Sequence, residues 1–227
     1  MKNEVLIGDC KDVLKQYPDN YFDLVLTDPP YGIFGGDKPF GKGKKIGGDK
    51  CALATEYHNF NWDIKLSKEH IAEIRRVSKN QIIFGGNYYA DWLPPSSCWI
   101  AWDKKNGASG FADCELAWTS FKSAARLFSW KWNGMLQEDM KHKEKRVYPT
   151  QKPIALYKWL LEKYAKPGYK ICDPCCGSGT IFAASNQLPE MDFEVIGIDK
   201  NVSALPIIQE RGQLNTVTLE SFEKVIV

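Results

Sequence analysis

No apolar run in the 227-residue chain approaches the ~20 residues that a helix needs to cross a bilayer. The start, MKNEVLIGDCKDVL, carries charges where a secretory leader is apolar. A soluble, cytoplasmic protein with no membrane partner is therefore expected. Histidine is scarce: His58, His70 and His142 are the only three, far apart in sequence. CDPCC contains one C-x-x-C, but a structural zinc site needs four ligands, so no metal is expected. The seven cysteines are an odd number, which fits free thiols in a reducing compartment better than a disulfide framework. Positive and negative charges nearly cancel, and a net charge of +2 names no partner by itself. No internal repeat or low-complexity tract is visible.

What is present suits one large globular domain spanning 1–227, with 44% hydrophobic and 26% charged residues. EVLIGD reads as a strand, CKDVLKQYP as a short helix and FDLVLTD as a second strand. Residues 33–61 are rich in glycine and lysine with little periodicity, and read as a long insertion of the kind that is usually functional. Its basic run KPFGKGKKIGGDK makes Lys42, Lys44 and Lys45 candidate phosphate contacts, against the commoner reading of a solvated loop. A helix follows at SKEHIAEIRRVSK, with Ser67 as N-cap. QIIFGG, CWIAWD, CELAWTSF and ARLFSWKW read as strands whose aromatics belong to the core. From YPTQKP onward the pattern is helix (ALYKWLLEKYAK), strand (YKICD), glycine turn, helix (TIFAASNQL), strand (EVIGID) and a helix around 202–211. Strands alternating with helices imply an α/β fold with a mostly parallel central sheet covered on both faces.

Two segments carry the chemistry. In FDLVLTDPPYG a buried strand ends in Asp28, Pro29, Pro30 and Tyr31. The prolines cannot continue the ladder, so the chain leaves stiffly and holds the acid and the tyrosine at the carboxyl end of the strand. Ligands bind at that edge in open α/β sheets. YKICDPCCGSGT is a strand, a glycine turn and the start of a helix whose free amides suit a ligand. About twenty residues beyond Gly179, Asp199 ends the next strand, where nucleotide-binding α/β units place an acid on ribose hydroxyls. A dinucleotide fingerprint fails because Phe182 stands where its third glycine belongs. A phosphate loop fails at Gly43, which replaces the magnesium-binding hydroxyl.

TDPPY and DPCCGSGT, in that order, resemble the β group of S-adenosylmethionine-dependent DNA amino-methyltransferases, together with GDCKDVL, CELAWTSF and YPTQKP. The resemblance implies a Rossmann-like methyltransferase fold with circularly permuted motifs. It implies that Asp173, Pro174, Cys175, Gly177, Ser178, Gly179 and Thr180 wrap the methionine part of the cofactor, and that Asp199 binds its ribose. Asp9 and the Cys10 amide would recognise its adenine, and Thr150, Gln151 and Lys152 would close over the methionine end. Cys175 and Tyr148 depart from the family's usual Phe and His. The implied substrate is double-stranded DNA. Asp28 and the Pro29 carbonyl would accept the two hydrogens of a flipped-out amine while Tyr31 stacks on the base. Aspartate at position 28 favours adenine N6. The alternatives are cytosine N4 and, in reversed motif order, a glutamine or RNA amino-methyltransferase. A non-catalytic nucleic-acid-binding module would carry degenerate motifs, and both are intact. Target recognition would fall to residues 122–147 with help from 33–61, and a homodimer is expected.

Overall fold

The computed structural model describes residues 2–33, 63–107, 112–133, 136–148 and 150–214. Most of the Gly/Lys-rich stretch, with Lys42, Lys44 and Lys45, lies outside them.

In chain order the elements are β1 (Lys2–Ile7), α1 (Cys10–Leu14), β2 (Phe22–Thr27), α2 (Lys68–Arg76), β3 (Ser78–Phe84), β4 (Trp99–Asp103), β5 (Cys114–Thr119), β6 (Arg126–Ser129), β7 (Trp132–Asn133), β8 (Leu136–Gln137), α3 (Ile154–Tyr164), β9 (Lys170–Asp173), α4 (Thr180–Ser185), β10 (Glu194–Asp199) and α5 (Leu205–Gly212). Each strand and helix expected from the pattern is found, most with ends shifted by one to several residues. The 202–211 helix begins as a 3-10 turn at Val202–Ala204. The two-residue pair β7–β8 was not anticipated, being too short to show alternation.

Eight strands form one sheet in the order β1-β10-β9-β2-β3-β5-β4-β6. The first five are mutually parallel. β5 runs antiparallel to both β3 and β4, and β6 is parallel to β4. Parallel strands are buried on both faces, and β2 shows how the sequence does this. Leu24 and Leu26 join the core under α3, α4 and α5, while Val25, on the opposite face, joins the core under α1 and α2. Trp102, Trp118 and Trp132 are buried and Phe121, Phe128 and Trp130 pack beside them, so the aromatics do serve the core.

The strand order creates the site. From β9 the chain passes through α4 to β10 on one side, and from β2 it passes through α2 to β3 on the other. β2 and β9 are neighbours, paired Leu24 to Ile171 and Val25 to Cys172, so the winding reverses between them. The crevice outside their carboxyl ends is where such sheets bind ligands. Asp28 follows one of these strands, and Asp173 ends the other.

Candidate active site

A cavity of about 610 Å³ opens at this edge, within the range of small-molecule sites. Asp9, Asp28, Tyr31, Lys152, Cys175 and Asp199 are among the residues that line it. Residues remote in sequence meet there because the carboxyl ends of β1, β10, β9, β2 and β3 all lie on one edge.

At the β2 exit the acid is held from two sides. The Tyr31 hydroxyl donates to Asp28 Oδ1 and the Lys152 ammonium to Oδ2. The side chains of Asp28 and Lys152 are 14% and 7% exposed, so both charges sit largely out of water. Burial raises the Asp28 carboxyl above its ordinary value; Lys152 opposes the rise and Glu115 adds to it. The Tyr89 hydroxyl donates to the Pro30 carbonyl and accepts the Leu66 amide at 3.3 Å, fixing the double-proline exit. The Tyr31 ring stacks on Tyr88, with centroids 4.8 Å apart and planes at 19°. It passes so close to Gly85 that an added Cβ would lie 2.0 Å from Tyr31 Cε1, and Gly85 has φ +63°. Gly85, directly after β3, is thus a seat for the tyrosine, a role its position in sequence does not reveal.

Two further charges complete this corner. Lys152 Nζ also lies 3.0 Å from Glu115 Oε2, and Lys104 pairs with Glu115 Oε1. Burial alone would raise Glu115, but the two lysines pull it down to about 2. Lys152, expected over the methionine end, therefore joins the Asp28 carboxylate. Glu115 and Lys104 were not singled out in the sequence. The available signal was an acid inside the apolar run of CELAWTSF.

The glycine turn follows β9. Gly177 and Gly179 take φ +50° and +70°, and at Gly179 an added Cβ would come within 3.2 Å of Ile208 Cα. Asp199 Oδ2 accepts the Gly177 amide at 2.7 Å, and Oδ1 accepts the Asn201 amide at 2.8 Å. Burial raises its carboxyl against those two amides. Asp173 Oδ1 accepts the Cys175 amide at 3.1 Å. Fully enclosed and near Asp28 and Asp199, its carboxyl is pushed up to about 7, burial being the main cause. Pro174 and Thr150 line the cavity, and Cys175 contacts the Cys10 thiol. Tyr148 lies beside the Gly177 backbone, 3.7 Å from where a Cβ would stand.

Other expected residues turn much of their chemistry inward. Buried Gln151 donates to Glu144 at 2.9 Å and accepts the Val147 amide at 2.8 Å. Arg211 reaches Glu144 at 3.2 Å and Ser178 Oγ at 2.6 Å, and Ser178 and Thr180 hydroxyls lie 3.2 Å apart. This network ties the TQKP segment to the glycine turn. Glu144 stands four residues before YPTQKP, but Arg211 lies 33 positions beyond Ser178, so only folding identifies the link between them.

Asp9 caps α1 by accepting the Lys11 amide at 3.0 Å. His70 Nδ1 faces the Ser67 amide at 3.3 Å, which leaves Nε2 to donate to Asp9 at 3.1 Å. With Cys10, these side chains bring three potential metal-binding atoms within 4.8 Å of one another. The Asp9–His70 hydrogen bond accounts for that closeness without an ion. Among the described residues no helix is long and apolar enough to cross a membrane. The six described cysteines are unpaired.

Residues 101–210 match a family model described as DNA methylase. The chain is 25% identical over 250 residues to the Type II methyltransferase M.HpaI of Haemophilus parainfluenzae, a match covering 93% of this chain and 74% of that one. Its fold is similar to that of the M1.HpyAVI-SAM complex, with TM-score 0.56, 21% identity and coverage of 93% of this chain and 100% of that one. It is also similar to the cytosine-N4-specific PvuII DNA methyltransferase, with TM-score 0.60, 12% identity and coverage of 99% and 91%.

Proposed function

We propose that this chain, an S-adenosylmethionine-dependent DNA methyltransferase, methylates the N6 amine of a flipped-out adenine in double-stranded DNA. The observation that carries the reading is Asp28, a carboxylate buried at the switch point on a proline-stiffened exit and gripped on both oxygens. S-adenosylmethionine supplies an electrophilic methyl group. Asp199 on the cavity wall is an acid suited to the cofactor's hydroxyls, and the glycine turn leaves room for close backbone approach.

The chain's own task is to make a poor nucleophile attack. The adenine amine is weak because its lone pair is delocalised into the ring. Asp28 and the Pro29 carbonyl accept its two hydrogens and turn the lone pair toward the methyl group. Tyr31 holds the ring, itself held by Asp28, Tyr88 and the Gly85 seat. These are positioning and electrostatic contributions made by groups oriented beforehand. Asp173, Pro174, Cys175, Gly177, Ser178, Gly179 and Thr180 cradle the methionine end, with Thr150, Gln151 and Lys152 behind it. Asp199 takes the ribose, and Asp9 with the Cys10 amide takes the cofactor's adenine. The strand of DNA is read by 122–147 and the 33–61 insertion. A cytoplasmic homodimer belongs to the same proposal, and sedimentation velocity reads the dimer.

The test is tritium transfer from labelled cofactor to duplex DNA, followed by nucleoside digestion. N6-methyladenine is expected, and N4-methylcytosine alone would overturn the adenine assignment. Asp28→Ala should slow transfer at least ~100-fold with cofactor affinity nearly unchanged, because it removes one preorganised polar group. Asp28→Asn should lose less, since its amide oxygen still accepts. A folded Asp28→Ala protein working at the wild-type rate would sink the mechanism.

A further inference from the structure

Both Asp28 oxygens are already engaged, by the Tyr31 hydroxyl and the Lys152 ammonium. An entering amine therefore competes with Lys152 for Oδ2. Lys152 is only 7% exposed, so leaving Asp28 without a new partner would strand a largely buried charge. Its second neighbour is Glu115 Oε2 at 3.0 Å. We propose that Glu115 is a positioning residue that takes the Lys152 ammonium from Asp28 as the target amine enters. The proposal rests on Asp28 as acceptor of the amine hydrogen.

The fold explains why Glu115 is there. β5 is antiparallel to β3, with Phe84 opposite Ala117, so β5 begins beyond the carboxyl end of β3 at the ligand-binding edge. β4 ends at the same edge, with Asp103 opposite Cys114, which brings Lys104 beside Glu115. The Lys104–Glu115 pair anchors the Oε1 side and leaves Oε2 toward Lys152. Two carboxylates and two ammoniums sum to zero. Moving Nζ from one carboxylate to the other leaves no buried charge without a partner, the condition under which buried ion pairs become costly. The two acceptors flank a single Nζ, so a small swing of the lysine end completes the exchange.

Among the described residues, Tyr31, Lys152, Glu115, Asp173, Tyr157 and Tyr89 are titratable groups that face Asp28. Glu115→Gln removes one negative charge and commits Lys152 to Asp28. Both changes favour the ionised Asp28. The acidic limb of the pH–rate profile should move to lower pH while the plateau rate falls about tenfold or more, as expected for a misplaced reacting group. Lys104→Gln should act in the opposite sense: Glu115 then draws Lys152 more strongly, and the limb moves up. A loosened site would not give limb shifts of opposite sign.

The experiment is single-turnover methylation of duplex DNA by wild type, E115Q, K152Q and the double variant, with cofactor affinity by calorimetry. E115Q should keep cofactor affinity within about twofold. It should add less than about twofold in the K152Q background, because residues acting through one another are not additive. E115D, which keeps the charge, should recover part of the rate. Additive effects, or an unshifted limb in E115Q, would overturn the proposal. The ¹³C carboxyl titration of Asp28, assigned with Asp28→Asn, reads the same shifts without DNA. A wild type that transfers no methyl group refutes the proposed function, while the titration still decides for or against Glu115. If E115Q does not fold, K104Q carries the test with its upward shift.

Discussion

Gly85→Ala isolates the seat of Tyr31. The residue has φ +63°, a left-handed conformation that costs an alanine about 1–2 kcal/mol. The new methyl would also stand 2.0 Å from Tyr31 Cε1, 2.5 Å from Cζ and 2.6 Å from Cδ1. Carbon atoms rest about 3.5–4.0 Å apart, so the ring must shift by roughly 1.5 Å. It cannot shift freely, because its hydroxyl is bonded to Asp28 and its face is stacked on Tyr88. Overpacking of this kind adds about 1–3 kcal/mol, giving a total loss of about 2–5 kcal/mol in stability. If Tyr31 stacks on the target base as proposed, a displacement of that size should slow methyl transfer by roughly 100-fold. Gly168→Ala is the matched control: φ is +78°, but nothing lies within 4 Å of the added methyl. It should lose only the backbone part of the stability and keep its activity. Urea denaturation and single-turnover methylation of the two variants make the comparison. Equal stability losses and equal rates would refute the seating role of Gly85.

Asp199→Ala should weaken S-adenosylmethionine binding by roughly 1.5–3 kcal/mol, about ten- to a hundred-fold, if charge-assisted bonds to the ribose are lost. Calorimetry showing unchanged affinity in a folded variant would place the ribose elsewhere. Asp173 is raised from 3.8 to about 7, chiefly by burial, so the folded protein binds this proton more tightly than the unfolded chain. Its contribution to stability is greatest below about pH 4 and is lost as pH rises to about 7. Asp173→Asn should therefore gain stability over wild type across that window, by up to the order of 4 kcal/mol, and the gain should level off above it. A pH-independent difference in denaturant midpoints would show that the carboxyl titrates normally. Neutralising Lys42, Lys44 and Lys45 together, which lie outside the described residues, should weaken DNA binding at every sequence. The salt slope should drop by up to about 0.9 for each phosphate that is no longer neutralised; an unchanged slope would make the loop a solvated bystander.

The sequence alone determined most of the elements and the two segments from which the proposed site is built. Local stereochemistry is enough for this. Two prolines must stop β2 after Asp28, and a continuous apolar run must bury β2 on both faces. A G-x-G turn between a strand and a helix lets the backbone take the left-handed conformation seen at Gly177 and Gly179. None of these needs a distant partner, so each can be read within a dozen residues. Tertiary structure decided what those groups touch. Placing β9 beside β2 puts Asp173 and Asp28 at one crevice, and reversing β5 puts Glu115 at the same edge. Lys152 could be read as part of a cofactor-closing motif, yet in the fold its ammonium lies between Asp28 and Glu115. Gly85 gave no sign that it seats a tyrosine 54 positions earlier in the chain. Gln151, Glu144, Arg211 and Ser178 form one network from three separate segments. Such contacts follow from strand order and side-chain packing across the sheet edge. They are set by pairings between residues far apart in the chain, on which local pattern is silent.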